Sequence, residues 1–309
     1  MKGQAALFTA AGIGVTLLCL LGISWIGPSG AFFNLLTPIA AAYLSLRFGL
    51  RSGIVVVGVT CLLLVELASA YTLAAYLGMF GVGSLLLPLF LRQHVPWDRA
   101  VLYATLGSAG ATAVMLLATA AMTGSGVQVL IKQMIQAEVD QAMQVYRDAG
   151  FNETQLKDMQ QVVEQLAGFI ATSFYGLFLT VLLAIQSLTL VLLQALRKKH
   201  YQLPGPAFAQ WRLPARLIWV LIFAGFSLLI PVESFSWIGQ NLLVVILPLY
   251  FFQGMAVVNS FLRRKTYPPL VKGLIYLLLL ILNPLPIIVT SVGVFDLWID
   301  FRRPRQKNI

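Results

Sequence analysis

Charge is what this sequence has least of. Of its 309 residues only 10% are Asp, Glu, Lys or Arg, against roughly a quarter in an ordinary soluble domain. Apolar residues make up 59%, more than the core of a soluble protein can hide. That balance excludes a soluble globular protein and makes a bilayer the solvent. Cysteine is nearly missing as well. Cys19 and Cys61 both lie inside apolar runs, with no Cys or His at zinc-ligand spacing, and read as buried apolar side chains. The two histidines, His94 and His200, sit beside basic residues without a second ligand and read as solvated. Also missing are the Gly-x-x-x-x-Gly-Lys phosphate loop, the Gly-x-Ser-x-Gly elbow and the His-Glu-x-x-His pair. Gly12-Ile13-Gly14 and Gly81-Val82-Gly83 lack the rest of a dinucleotide pattern. No enzyme, metal or cofactor is expected, and any ATP-driven work would fall to another chain.

Long apolar runs are what the sequence has instead. At roughly 20 residues per crossing, spans are expected at 5–26, 31–47, 52–71, 73–91, 100–123, 169–196, 216–232 and 240–262. Gly27-Pro28, the basic stretch 47–51, Pro96-Trp97-Asp98 and Pro204-Gly205-Pro206 mark breaks between them. The first run follows Met1-Lys2, is longer than a signal-peptide core and lacks an Ala-x-Ala pattern, so it reads as a retained span. The last, 271–301, is interrupted by Asn283-Pro284-Leu285-Pro286, where two missing backbone donors disfavour a continuous helix. The expected fold is all-α: a polytopic bundle of about 8 to 10 membrane segments, one integral domain over 1–309, with six spans in 1–196 and further spans and a basic tail in 197–309.

The net charge of +10 comes from 21 basic and 11 acidic residues. The basic residues cluster between apolar runs, as in Arg197-Lys198-Lys199 and Arg263-Arg264-Lys265, which is the look of cytoplasmic loops and not of a nucleic-acid surface. With the N-terminus inside, 18 of the 21 fall inside, leaving Lys132, Arg147 and Lys157 outside. Both termini are then cytoplasmic in a bacterial plasma membrane. The stretch 271–301 becomes a hairpin turning near 283–286, with a single broken span as the alternative.

Six of the eleven acids fall within 124–168 (Glu138, Asp140, Asp148, Glu153, Asp158, Glu164), which marks a water-exposed, extracytoplasmic insertion. Val127, Leu130, Ile131, Met134, Ile135, Ala142, Val145 and Tyr146 recur at helical spacing. Gly150 ends that helix, and Asn152 caps a second with Leu156, Met159, Val163 and Leu166 on its apolar face. The apolar faces need the bundle, the lipid surface or a partner.

Glu66 is the one acid deep within a well-defined span, where a charge costs about 2.5 to 3.5 kcal/mol on insertion scales. Asn34 and Thr37 on the antiparallel neighbour reach a similar depth. The three either line a substrate pocket open to the outside, in which Glu66 is neutral, or form a structural hydrogen-bonded group. Gln186, Gln253, Asn259 and Asn283 are further intramembrane amides. Gln253 and Asn283 are added to the candidate substrate-binding set, Asn283 because a Pro-broken backbone at membrane depth is tolerated where it lines a cavity. If it is a hairpin turn near the surface, it is only a turn. Ala6, Ala10 and Gly14 form a small-residue stripe suited to docking another helix, although internal packing is the more common reason for such a stripe. Asp296 and Asp300, near Arg302 and Arg303, read as interface salt bridges.

Several segments together carry a family likeness: Arg47-Phe48-Gly49, Trp211-Arg212-Leu213-Pro214, Asn241-Leu242-Leu243, the run 250–258 around Gln253-Gly254, and the run 293–302 from Gly293 through Asp296 and Asp300 to Arg302. Over most of its length the chain resembles the YybS-like bacterial polytopic membrane proteins, a family with no established activity. More distantly, the first six spans resemble the substrate-binding subunits of energy-coupling-factor vitamin transporters. That likeness implies a shared membrane partner docked on the Ala6, Ala10 and Gly14 face, a coupling ATPase, and an outward pocket in the Asn34 and Glu66 region. The spans after 200 and the acidic insertion depart from that pattern. The leading expectation is a multi-pass membrane protein that binds a small solute from outside as a transporter component. Its rival is a non-catalytic scaffold or envelope assembly factor using the 127–168 hairpin. An intramembrane enzyme ranks third, since Glu66 has no visible partner acid, base or metal ligand.

Overall fold

The computed structural model describes residues 2–26, 31–197, 203–264 and 267–302, and its regular elements there are all helical. Gly27-Pro28, Lys198, Lys199, His200, Lys265 and the tail from Arg303 lie outside the described residues. The chain divides into two compact units, one within Met1–Leu156 and Val181–Gly205, the other within Lys157–Thr180 and Pro206–Ile309.

The first unit begins with α1 (Lys2–Ile26), followed by the four-residue turn of helix α2 (Ala31–Asn34), α3 (Thr37–Phe48) and α4 (Leu50–Leu67). Leu35 and Leu36 form the break between α2 and α3, and Pro38 sits in the first turn of α3, where its missing donor costs nothing. Gly49 alone joins α3 to α4, at a φ of 107° that a side chain would strain. Arg47 lies beside this joint, its guanidinium 4.6 Å from the Phe8 ring and donating to Tyr43 Oη at 3.0 Å. Next come α5 (Ala70–Ala75), a π-helical segment (Tyr76–Gly81) and α6 (Val82–Arg92), then α7 (Trp97–Thr123). Lipid tails are as apolar as leucine, so burial alone does not hold such helices together; close packing must. Leu44, Val56, Leu64, Tyr76 and Ile185 form one packed cluster, and Leu87, Leu91, Ala104 and Leu193 another. Gly12 packs under Leu44 and Val56, and a Cβ on Gly53 would come 3.0 Å from the Ala41 carbonyl oxygen.

Helix α7 stops at Gly124, and α8 (Val127–Asp148) buries Ile131 of the expected face and Met143 outside it, while Val145 of that face is exposed. The Asn152 cap forms as expected. Asn152 Oδ1 accepts from Gln155 N at 2.9 Å, and Gln155 Oε1 accepts from Asn152 N at 3.1 Å. The helix it starts does not end with the insertion. Helix α9 (Glu153–Arg197) runs unbroken for 45 residues, about 67 Å, roughly twice the about 30 Å of a hydrocarbon core. Gly168, the one glycine near the junction, is tolerated inside it.

The second unit takes residues 157–180 of α9 together with α10 (Leu217–Ser227), α11 (Glu233–Arg263), α12 (Pro269–Ile281) and α13 (Leu285–Ile299). Asn241 on α11 stitches the α9 portion in place: its Oδ1 accepts from Gly176 N at 2.8 Å and its Nδ2 donates to Thr172 O at 2.8 Å. Thr180 Oγ1 donates to Val244 O at 2.9 Å. Helices α11 and α13 cross where Gly254 and Gly293 let the backbones meet. A Cβ on Gly254 would strike the Val289 carbonyl, and one on Gly293 the Tyr250 carbonyl.

Six helices among the described residues are long and apolar enough to cross a membrane, or seven elements if α12 and α13 count as one bent span. That is fewer than the 8 to 10 read from the apolar runs, and helix length is the reason. Helices α3 and α10 have 12 and 11 residues, about 18 and 17 Å, against a hydrocarbon core of about 30 Å. The expected C-terminal hairpin of two full spans is likewise replaced by helices of 13 and 15 residues bent by 98°. Pro284 and Pro286 cap and start α13, so the helix restarts at the break.

Candidate functional site

Asn34 and Thr37 flank the α2–α3 break. Thr37 is 1% exposed and Asn34 half-buried, and neither Thr37 Oγ1 nor Asn34 Oδ1 has a hydrogen-bond partner. Orphaned buried polar atoms are uncommon in native folds, and here two stand three residues apart where a helix is interrupted. Glu66 has a different setting from the one expected. Helix α4 ends at Leu67 rather than 71, because Ala68 turns extended and Ser69 caps α5 by accepting from Thr72 N. Glu66 is therefore the penultimate residue of its helix, and its side chain is exposed on the protein surface instead of buried in a span. Measured from the shared Gly49 joint at about 1.5 Å per residue, Thr37 lies about 18 Å and Glu66 about 25 Å along the hairpin, toward the same end.

Gln253 has a well-built setting of another kind. On α11 it is 3% exposed, its Oε1 accepts from Leu213 N at 3.0 Å, and its Nε2 donates to Asp296 Oδ2 at 3.4 Å. Asp296 is wholly buried on α13 and pairs with Arg302 Nη2 at 2.8 Å. Arg302 Nη1 donates to Trp211 O at 2.7 Å and to Ala209 O at 3.0 Å. Burial lowers the Arg302 guanidinium below the usual arginine range, while the Asp296 carboxylate beside it acts the other way. Arg212 pairs with Asp300, and Arg264 Nη2 donates to Arg302 O at 2.5 Å. The salt bridges expected at an interface thus include a buried one, and the buried acid of this protein is Asp296 and not Glu66. The sequence carries a local signal for it, an acid in an apolar run three residues after Gly293 with Arg302 six residues on.

The remaining candidates are not drawn into either group. Asn283 is exposed at the α12–α13 break. Ala6, Ala10 and Gly14 are all exposed on α1, whose packed face is instead Gly12, Thr16 and Cys19. Beside them Gly14, Leu17, Leu18 and Leu21 line an open apolar groove of about 280 Å³. Cys19 is buried and Cys61 half-buried, both free, as expected of apolar positions. No cluster of metal-ligating side chains occurs among the described residues.

The segments that join at Asp296 and Arg302 are those of the C-terminal likeness: 211–214, 250–258 and 293–302. The chain matches the family described as "Predicted membrane protein (DUF2232)" over residues 14–297. No curated protein and no solved structure matches. The family description carries a membrane location and no activity, and neither the YybS-like name nor the energy-coupling-factor likeness is part of it. A multi-pass helical chain whose matched span covers α2 to α12 entire and nearly all of α13 belongs to this family of predicted membrane proteins.

Proposed function

We propose that this protein is a non-enzymatic, multi-pass membrane subunit that binds a small polar solute at the α2–α3 break, as a component of a transporter. The observation that carries the reading is the pair of orphaned polar atoms, Asn34 Oδ1 and Thr37 Oγ1, at an interrupted helix. Interrupted helices at membrane depth are a recurrent way to present polar groups to a solute without exposing them to lipid. An amide and a hydroxyl there accept and donate hydrogen bonds, which suits a polar group on the solute, and Glu66 lies toward the same open end. With the basic residues inside, that end faces outward. Mass spectrometry of gently extracted protein tests the reading. A small molecule should be retained by the wild type and fall at least tenfold in occupancy in the double variant Asn34→Leu, Thr37→Val. Equal retention in both, or none in the wild type, would refute it.

A second reading, a scaffold or envelope assembly factor, is favoured by the unfilled face of α1, where the small-residue stripe borders an apolar groove. Under it the same extraction brings down a membrane-protein partner without solute, and Gly14→Leu removes that partner. Co-purification of a coupling ATPase with a retained solute would join the docking face to the transport reading.

A further inference from the structure

Another set of orphaned polar groups lies within the first unit, on helices that take no part in the α2–α3 break. Gln186 on α9 is wholly buried, and neither its Nε2 nor its Oε1 has a hydrogen-bond partner. On α7, Ser108 is 0% exposed and Thr105, one turn before it, 4%; neither hydroxyl oxygen has a partner. Gly83 on α6 is the floor on which two of them meet. A Cβ there would overlap Gln186 Nε2 and lie 2.9 Å from Ser108 Oγ.

Thr37 and Thr60 apart, other buried hydroxyls in this unit escape the same penalty by turning back on their own helix. Thr16 donates to Gly12 O, Ser45 to Ala41 O, Ser84 to Gly81 O and Thr189 to Ile185 O, all at 2.7 to 2.8 Å. Ser108 and Thr105 have the same option and do not take it. Gln186 has no such option, because an amide this long does not back-bond, and it brings both a donor and an acceptor. Gly83 lies two residues after the π-helical segment Tyr76–Gly81, a local irregularity that recurs at functional positions.

We propose that Gln186 and Ser108, with Thr105 beside them, form a binding site for a small neutral hydrogen-bonding molecule held between α6, α7 and α9, with water as the occupant. Buried water needs two to four polar partners, and the amide and the adjacent hydroxyl supply that number. The members carry no charge, so an ion would be stripped of water without a counter-charge, and the site does not take one. The other source of the same chemistry is the hydroxyl or amide end of a solute.

The test pairs a high-resolution density map with thermal unfolding of the full-length protein, followed by a thiol-reactive dye at Cys19 and Cys61, both free and both in this unit. If water is held, a single-atom peak stands about 3 Å from the Gln186 amide and Ser108 Oγ, and Gln186→Met loses the peak and melts several degrees lower. Ser108→Ala, a smaller change, gives the same sign should Gln186→Met fail to fold. Density extended beyond one atom, lost after solute-free washing, supports the site and assigns it to a solute. A dry site overturns the proposal: the wild type shows no density, and Gln186→Met melts higher because two unsatisfied groups have been removed. Neither Asn34→Leu nor Thr37→Val should alter the peak, so this site and the solute site fail independently.

Discussion

At the scale of single residues, Asp296 and Arg302 carry the clearest energetic consequence. A wholly buried carboxylate is costly unless a matching charge stands beside it, and the Arg302 guanidinium also holds two loop carbonyls. Asp296→Asn leaves that guanidinium buried without its counter-ion, and should cost about 3 to 5 kcal/mol. The double variant Asp296→Leu, Arg302→Met should lose less than the sum of the two single changes. Tryptophan fluorescence reports this directly, since Trp211, Trp219, Trp237 and Trp298 all fall in the same unit. Additive losses would mean that the pair contributes no mutual stabilisation. The sequence shows the two residues six apart, but not that Leu213 and Gln253, far off in the chain, complete their surroundings.

Among the elements, glycines of opposite meaning offer a test with two signs. Gly168 lies inside α9 with nothing near the place of a Cβ, so Gly168→Ala should stabilise the helix by about 0.5 to 1 kcal/mol. Gly254→Ala should do the reverse, since its methyl group would meet the Val289 carbonyl where α11 crosses α13. Thermal melting of the two variants beside the wild type checks both signs, and a neutral Gly254→Ala would deny the close crossing. Capping was readable from Asn152 and its partner three residues on, a purely local interaction. The continuity of α9 was not, because the change from acidic to apolar composition near Gly168 alters the solvent around a helix without requiring the helix to stop.

For the whole molecule, the distribution of basic residues makes the strongest statement. Cysteines introduced at positions 51 and 306, in a background lacking Cys19 and Cys61, should react with an impermeant reagent only after cells are opened. One at position 140 should react in intact cells. Labelling of position 306 in intact cells would instead make the α12–α13 pair one broken span with an outside tail. The 98° bend between these helices shows why counting apolar residues falls short here: an apolar run measures a length, while the direction taken after Asn283 depends on what α13 packs against.

Taken alone, the sequence determined the membrane class, the helical fold and the Asn152 cap. Each of these depends on composition or on neighbours within a turn or two of the chain. Only the tertiary structure decided that Glu66 ends a helix on the surface while Asp296 is buried. The same holds for the stripe of Ala6, Ala10 and Gly14, left open while Gly12 and Thr16 face the bundle, and for Gln186 meeting Ser108 over Gly83. Burial and partnership are properties of helices brought together from distant parts of the chain, and apolar periodicity is nearly silent about them in a protein whose helices are apolar on every side.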